Sequence, residues 1–465
     1  MKKFYTAYDV EYALSRGEKI IYVNEGDVIT DIAKETAEKN GVSFTSSANE
    51  IGISENKTDG NLLYSNASKS NKVTKAVYKN LMSEDEINKW RNEFPILKNI
   101  IHVGNCSQSA QAISVRNAIN KYLDNWLTVG MDWESWVEET YKAKVEFAKL
   151  INADPSEVAI STSVSEAVST IASSLDYTGK RKKILVTDAE FPTINYIWLA
   201  QQKYGAKVDF VSVNKDHQID INEYDRYIDE DTLLTSVTQV YYLNGFKQDI
   251  GKIAETAHKK GSLILVDAYQ GLGTEPVDVK KMNIDILVSG NLKYLFGIPG
   301  IAFMYVNPEL TRMLKPSVTG WFAQENPFLF QTRYIDWAND ARKFDNGTPP
   351  VLTSYAARAG MQITNEVGVD RIKDRIDMLS AHALQGCLDR GLKCISPFDV
   401  NKKGGTTAIW VSDRIDSHSM EVELKSRNII ASARGDVIRV APHFYTKPEE
   451  IDYVLDQIQD IYLRK

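Results

Sequence analysis

Lys293 closes the segment Ser289-Gly290-Asn291-Leu292-Lys293, and Asp267 lies 26 residues earlier in Leu265-Val266-Asp267-Ala268-Tyr269-Gln270. Each follows a run of apolar residues that reads as a buried strand. An amine in a tight loop, between Ser289-Gly290 and the turn residues Gly297, Pro299 and Gly300, is partly desolvated and so becomes nucleophilic. A carboxylate at the end of a central strand is costly unless it caps a helix, joins a salt bridge or meets a positive ligand atom. An amine and a buried acid are also the pair that a pyridoxal phosphate (PLP) site requires. The lysine condenses with the aldehyde, and the acid keeps the ring nitrogen protonated so that the ring accepts electrons.

Three further segments have the residue types that such a ligand needs. Thr162-Ser163-Val164-Ser165-Glu166-Ala167 follows a strand and opens a helical pattern. Ser163, Val164 and Ser165 there expose backbone N–H groups and hydroxyls to a phosphate, although ordinary N-capping uses the same residues. Phe191, in Asp188-Ala189-Glu190-Phe191-Pro192-Thr193, either covers a pyridine face or is plain core. Gln270 either reaches an oxygen of the ligand or serves the turn.

The elements that must position these residues are legible from periodicity. Apolar runs predict strands at 157–161, 183–187, 207–213, 233–242, 262–268, 284–289 and 301–306, with amphipathic stretches such as 250–259 between several of them. This alternation predicts an α/β fold: a mostly parallel sheet of seven strands with helices on both faces, whose ligands gather at the carboxyl ends of the strands. Residues 1–43 read as a separate helix–strand–helix module. Thr6 and Asp9 there form a capping pattern, Gly17 stops a helix, and Thr30 caps a second helix ending near Asn40-Gly41. Residues 44–75, rich in Ser, Asn, Lys and Gly, read as a flexible linker. The stretch 76–130, where Ser83 and Glu86 repeat the capping signature, contributes to a smaller domain and to the mouth of the site. Residues 131–369 form the large domain and 370–465 a smaller α+β C-terminal domain.

Composition adds exclusions. A net charge of −7 across 465 residues offers no electrostatic case for nucleic acid or an anionic membrane. No apolar run is long enough to span a bilayer. The opening Met1-Lys2-Lys3-Phe4-Tyr5 lacks a secretory pattern. Cys106, Cys387 and Cys394 have neither disulfide-framework nor zinc-site spacing. A cytoplasmic protein without a metal is expected.

Four motifs, in order, resemble the class V aminotransferase family of PLP enzymes, fold type I, from about residue 95 onward: Asp267-Ala268-Tyr269-Gln270, Ser289-Gly290-Asn291-Leu292-Lys293, Asn346-Gly347-Thr348-Pro349, and Arg439-Val440-Ala441-Pro442-His443-Phe444-Tyr445-Thr446. That family includes cysteine desulfurases, selenocysteine lyases, kynureninases and isopenicillin-N-epimerase-like proteins. The resemblance implies that Lys293 holds PLP, Asp267 pairs with its ring nitrogen and Gln270 contacts its oxygen, with Ser289 also beside the cofactor. It further implies that Gly347 and Thr348 reach the phosphate of a neighbouring subunit in a homodimer, and that Arg439 grips a substrate α-carboxylate. Asn105 and Arg434 lie in loops expected to touch the substrate side chain; Arg434 meets either a second acidic group or a surface partner.

The sequence also departs from the desulfurase pattern. Phe191-Pro192-Thr193 replaces the histidine over the ring, Leu292 replaces the histidine before the lysine, and Ile430-Ala431-Ser432-Ala433-Arg434-Gly435-Asp436 lacks a mobile cysteine. Phe191-Pro192-Thr193 and Gly320-Trp321-Phe322 resemble kynureninases and lyases, so the expected reaction is a lyase reaction at the β-substituent of a cysteine-like or kynurenine-like amino acid. The alternatives are an aminotransferase, an epimerase, or a PLP-fold binding protein without turnover. The N-terminal module either docks a protein partner or is an accessory structural segment.

Overall fold

The computed structural model describes residues 4–5, 10, 13–14, 19–23, 27–46, 73 and 78–464. The chain divides into two compact units, Met1–Asn71 and Lys72–Lys465.

In the first unit, Ile20–Val23 pairs in parallel with Ser43–Ser46, and the helix Asp31–Asn40 lies between them in the chain. Thr30 Oγ1 accepts the Ala33 N–H at 3.2 Å, and Gly41 ends the helix at φ 67, a conformation that glycine adopts without a Cβ penalty. Val10, Ala33, Ala37 and Val42 form a small core. Residues 44–46, expected to open a flexible linker, instead belong to the strand Ser43–Ser46, whose ladder with Ile20–Val23 satisfies backbone groups. The rest of that stretch, 47–72 and 74–75, and the features expected at Thr6, Asp9 and Gly17 lie outside the described residues.

The second unit is built on seven strands: β1 (Val158–Ser161), β2 (Lys183–Thr187), β3 (Lys207–Val211), β4 (Thr232–Thr238), β5 (Leu263–Asp267), β6 (Ile286–Gly290) and β7 (Ala302–Val306). Their order across the sheet is β1-β7-β6-β5-β4-β2-β3. Only the contacts of β7 with β6 and β1 are antiparallel. Successive residues of one strand enter opposite cores. Ile264, Leu287 and Phe303 pack on one face, and Leu265, Val288 and Met304 on the other. Both faces are thus covered, which explains why these strands read as unbroken apolar runs. β4 stops at Thr238 rather than the expected 242. The chain turns back there, with the Tyr241 N–H donating to Phe246 O and Gly245 at φ 77.

After the helix Val351–Val367, Gly368 at φ 89 breaks the chain direction before the helix Val369–Asp389. Beyond it lies an antiparallel sheet of β8 (Thr407–Trp410), β9 (Ser432–Arg434) and β10 (Val437–Val440), in the order β8-β10-β9. Its core includes Leu379, Ile409, Ile438 and Leu455, the last from the helix Pro448–Arg464. Ile101–His102 pairs in parallel with Ile429–Ile430. Ser83 Oγ accepts the Glu86 N–H at the start of the helix Glu84–Arg91. The Glu86 carboxylate, expected to complete a capping box, instead holds Arg371.

Candidate active site

The carboxyl ends of β1, β4, β5 and β6 open onto one cavity of about 520 Å3. Asp267 is the last residue of β5. One of its oxygens accepts the Tyr269 N–H at 2.8 Å. Burial pushes its pKa above the ordinary carboxyl range, against the pull of that N–H and of the Lys293 amine. Lys293 follows β6, with Nζ 4.1 Å from the centre of the Tyr269 ring and 5.7 Å from that of Phe191. Burial, with smaller contributions from Arg439 and Arg434, pushes its pKa down to about 8 against the opposing influence of Asp267 and Cys106. A neutral amine is therefore accessible near neutral pH.

Packing fixes the lysine loop in place. A Cβ on Gly290 would stand 2.0 Å from Tyr269 Cζ, so only glycine lets the tyrosine ring lie under the lysine. Phe296, three residues on, adopts φ 59, a costly conformation for a bulky residue. It is buried against His443 at 4.4 Å and Phe94 at 5.2 Å between ring centres.

The turn after β1 is also tied down. Ser163 Oγ accepts the Glu166 N–H at 3.1 Å and caps the helix Val164–Ala172. Ser165 Oγ and Thr193 Oγ1 are 2.6 Å apart. The Glu166 carboxylate accepts the Thr162 N–H at 2.7 Å and hydroxyl at 2.5 Å, and the Asn346 amide at 2.9 Å. Burial raises its pKa, but these three donors together hold it below the ordinary range.

Most residues expected from the sequence converge here. Ser163, Val164, Ser165, Phe191, Asp267, Gln270, Lys293, Arg434 and Arg439 all line the cavity. Phe191 is 40% exposed and packs edge-on against Tyr242, so it is a cavity wall rather than core. Gln270 donates one N–H to Cys106 O at 3.0 Å; its Oε1 is buried without a partner.

Two residues are placed elsewhere. Ser289 turns its hydroxyl onto Gly290 O at 2.9 Å and is absent from the lining. Asn105 is fully buried. It donates to Ala441 O at 2.8 Å and accepts the Tyr445 hydroxyl at 2.6 Å, which leaves its amide committed to holding the fold. Gly347 and Thr348 are exposed and absent from this chain's own lining.

Sequence reasoning missed Tyr269 as the ring beside the amine, although its place next to Asp267 in the motif was a signal. It also missed Thr193 and Thr238 in the wall, and Glu190. Glu190 is buried with both oxygens unpartnered. Burial, with the Asp267 charge as a smaller cause, pushes its pKa well above the ordinary carboxyl range.

This donor set fits PLP. It offers an amine with a depressed pKa, a buried carboxyl at the cavity wall, an aromatic face, an unpartnered amide oxygen and hydroxyls at a helix N-terminus. The seven-stranded sheet and the paired lysine and acid define a PLP-enzyme architecture of fold type I. The chain belongs to the class V aminotransferase family, a family of PLP-dependent enzymes: the family model Aminotransferase class-V matches residues 110–452. Over 371 residues it is 40% identical to the uncharacterized aminotransferase YcbU of Bacillus subtilis (strain 168), an alignment covering 79% of this chain and 96% of the relative. It is 26% identical to a kynureninase of Geobacillus thermodenitrificans, covering 83% of this chain and 94% of that protein. Among solved structures, the apo cysteine desulfurase from Thermococcus onnurineus NA1 superposes with a TM-score of 0.74 at 20% identity, covering 81% of this chain and 98% of that one. The resemblance expected from the motifs is thereby borne out for family and fold.

Proposed function

We propose that this enzyme is an aminotransferase that takes a primary amino acid to its keto acid, with Lys293 as the proton-carrying residue. One observation supports this reading above the lyase and epimerase outcomes: the cavity wall has a single amine base and, besides Asp267, no carboxylate and no histidine. Racemisation needs a second base on the opposite face, where Phe191 stands.

In this reading Asp267 holds the ring nitrogen, Phe191 covers the ring, and Ser163, Val164 and Ser165 receive the phosphate. Gln270 offers its second N–H to the cofactor's oxygen. When bound, PLP supplies the electron sink for charge that develops at the substrate Cα. Arg439, 1% exposed, orients the α-carboxylate with a planar fork of donors. Lys293 Nζ removes the Cα proton and carries it along one face of the cavity.

The enzyme acts as a homodimer in this proposal, with the exposed Gly347 and Thr348 of one subunit completing the phosphate site of the other. The three cysteines are free thiols, which suits a reducing cytoplasm. The test is addition of amino acid alone to the yellow protein. An aminotransferase releases one equivalent of keto acid and leaves the cofactor in its pyridoxamine form. Continuous release of pyruvate or alanine with no acceptor would instead establish the lyase.

A further inference from the structure

We propose that this cavity selects amino acids whose side chain carries a second acidic group, with Arg434 as its receptor, an assignment that rests on reading the cavity as a PLP and amino-acid site.

The hairpin of β9 and β10 places two guanidinium groups on one face. Ser432 lies opposite Arg439 in the ladder, and Arg434 lies opposite Val437. Arg434 is two residues along β9 from Ser432, so its side chain leaves the same face as those of Ser432 and Arg439. Arg434 and Arg439 are thus diagonal neighbours across the strands, about 7–8 Å apart by backbone geometry, and both line the cavity.

Neither has a negative partner among the described residues. Arg439 donates to Tyr242 O at 2.8 Å, Ser107 Oγ at 2.9 Å, Ser432 Oγ at 2.6 Å and Ser432 O at 3.4 Å, all neutral acceptors. Arg434 is exposed at the rim and forms no hydrogen bond or ion pair there; Asp436, two residues on, does not pair with it. The sole carboxylate in the wall is Asp267, already beside the Lys293 amine and committed to the ring nitrogen. Arg434, solvated at the rim, has its donors free for an incoming anion, and a substrate α-carboxylate answers only one of the two guanidinium groups. The second guanidinium suits a side-chain carboxylate or sulfinate. Both charges also depress the Lys293 pKa, so a doubly acidic substrate arrives where positive charge has accumulated.

The experiment titrates PLP-loaded wild type and Arg434→Gln with L-aspartate, L-glutamate and L-cysteine sulfinate, and with asparagine, glutamine and alanine as neutral counterparts. Dissociation constants come from the visible absorbance, and PLP content is measured separately. Wild type is expected to bind at least one acidic amino acid roughly ten- to a hundredfold more tightly than its neutral counterpart. The variant should lose that preference, weakening far more for the acid than for alanine. The three acids differ in length and geometry, so the best binder reports which carboxylate or sulfinate reaches Arg434. Equal affinity for acidic and neutral amino acids in wild type overturns the assignment. So does equal weakening of all ligands in the variant, or a PLP-loaded variant that keeps the full acid preference. A wild-type protein that never takes up PLP overturns the cofactor reading itself, and this assignment with it.

Discussion

Lys293 illustrates how one side chain's chemistry is set by what surrounds it. Burial and two neighbouring arginines favour its neutral form, and Asp267 pulls the other way, leaving a pKa of about 8. The amine must be neutral to attack the PLP aldehyde. Capture of PLP by apo-protein should therefore accelerate about tenfold per pH unit below 8 and level off above it. Stopped-flow absorbance against pH reads this directly, and a rate still climbing at pH 10 would show an ordinary exposed lysine. In the proposed site, Asp267→Asn removes the charge that would hold a cationic ring nitrogen. Turnover should drop by on the order of 10²–10³ while the borohydride-fixed label still maps to Lys293. At this scale the sequence was informative about identity and silent about rotamer. Asp267 and Lys293 were legible because each ends an apolar run. Ser289 was read as a cofactor contact, yet its hydroxyl prefers the adjacent carbonyl. Asn105 is bonded to Ala441 and Tyr445, 336 and 340 residues away, and no local spacing encodes such partners.

Strands were read nearly to the residue where both faces are buried, since the apolar run and the strand are then the same thing. The end of β4 was misjudged because Val240 and Tyr241 are apolar but belong to a turn that folds back on itself. The turn after β1 was recognised from its small residues. The carboxylate that fastens it was not, because Glu166 looks like any acidic residue in a helix's first turn. Glu166 ties Thr162 to Asn346, and hence the cradle to the Gly347-Thr348 segment. In Glu166→Gln the side chain has only one acceptor oxygen for donors on both sides. We expect a loss of about 1–2 kcal/mol in unfolding free energy and a PLP affinity reduced more than the substrate affinity. Denaturant melts with and without PLP separate the two effects, and a variant unchanged in both would show that the network is incidental.

Across the whole molecule, the second unit leaves unsatisfied what a monomer would normally hide. The helix Ile113–Val129 exposes Leu123, Trp126 and Leu127, the last 84% accessible, and Met131 follows at 76%. Leu123, Trp126 and Leu127, three and four residues apart on the helix, form an apolar stripe in a chain whose net charge otherwise favours solubility. The Gly347-Thr348 segment is likewise exposed and absent from the wall of its own chain's cavity. Both features are answered if a second copy covers the stripe and each copy lends this segment to the other. Burying one leucine is worth roughly 1.5–3 kcal/mol, and a two-fold interface counts each change twice. Leu127→Glu, at a position with little intramolecular packing to lose, should fold with an unchanged far-UV spectrum. It should run as a monomer by light scattering at concentrations where wild type is expected to be a dimer. Its PLP content should fall together with the dimer fraction as protein is diluted, because in the proposed dimer an isolated subunit would lack the lent segment. A monomeric variant that keeps its full complement of PLP would separate assembly from cofactor binding and remove Gly347 and Thr348 from the site.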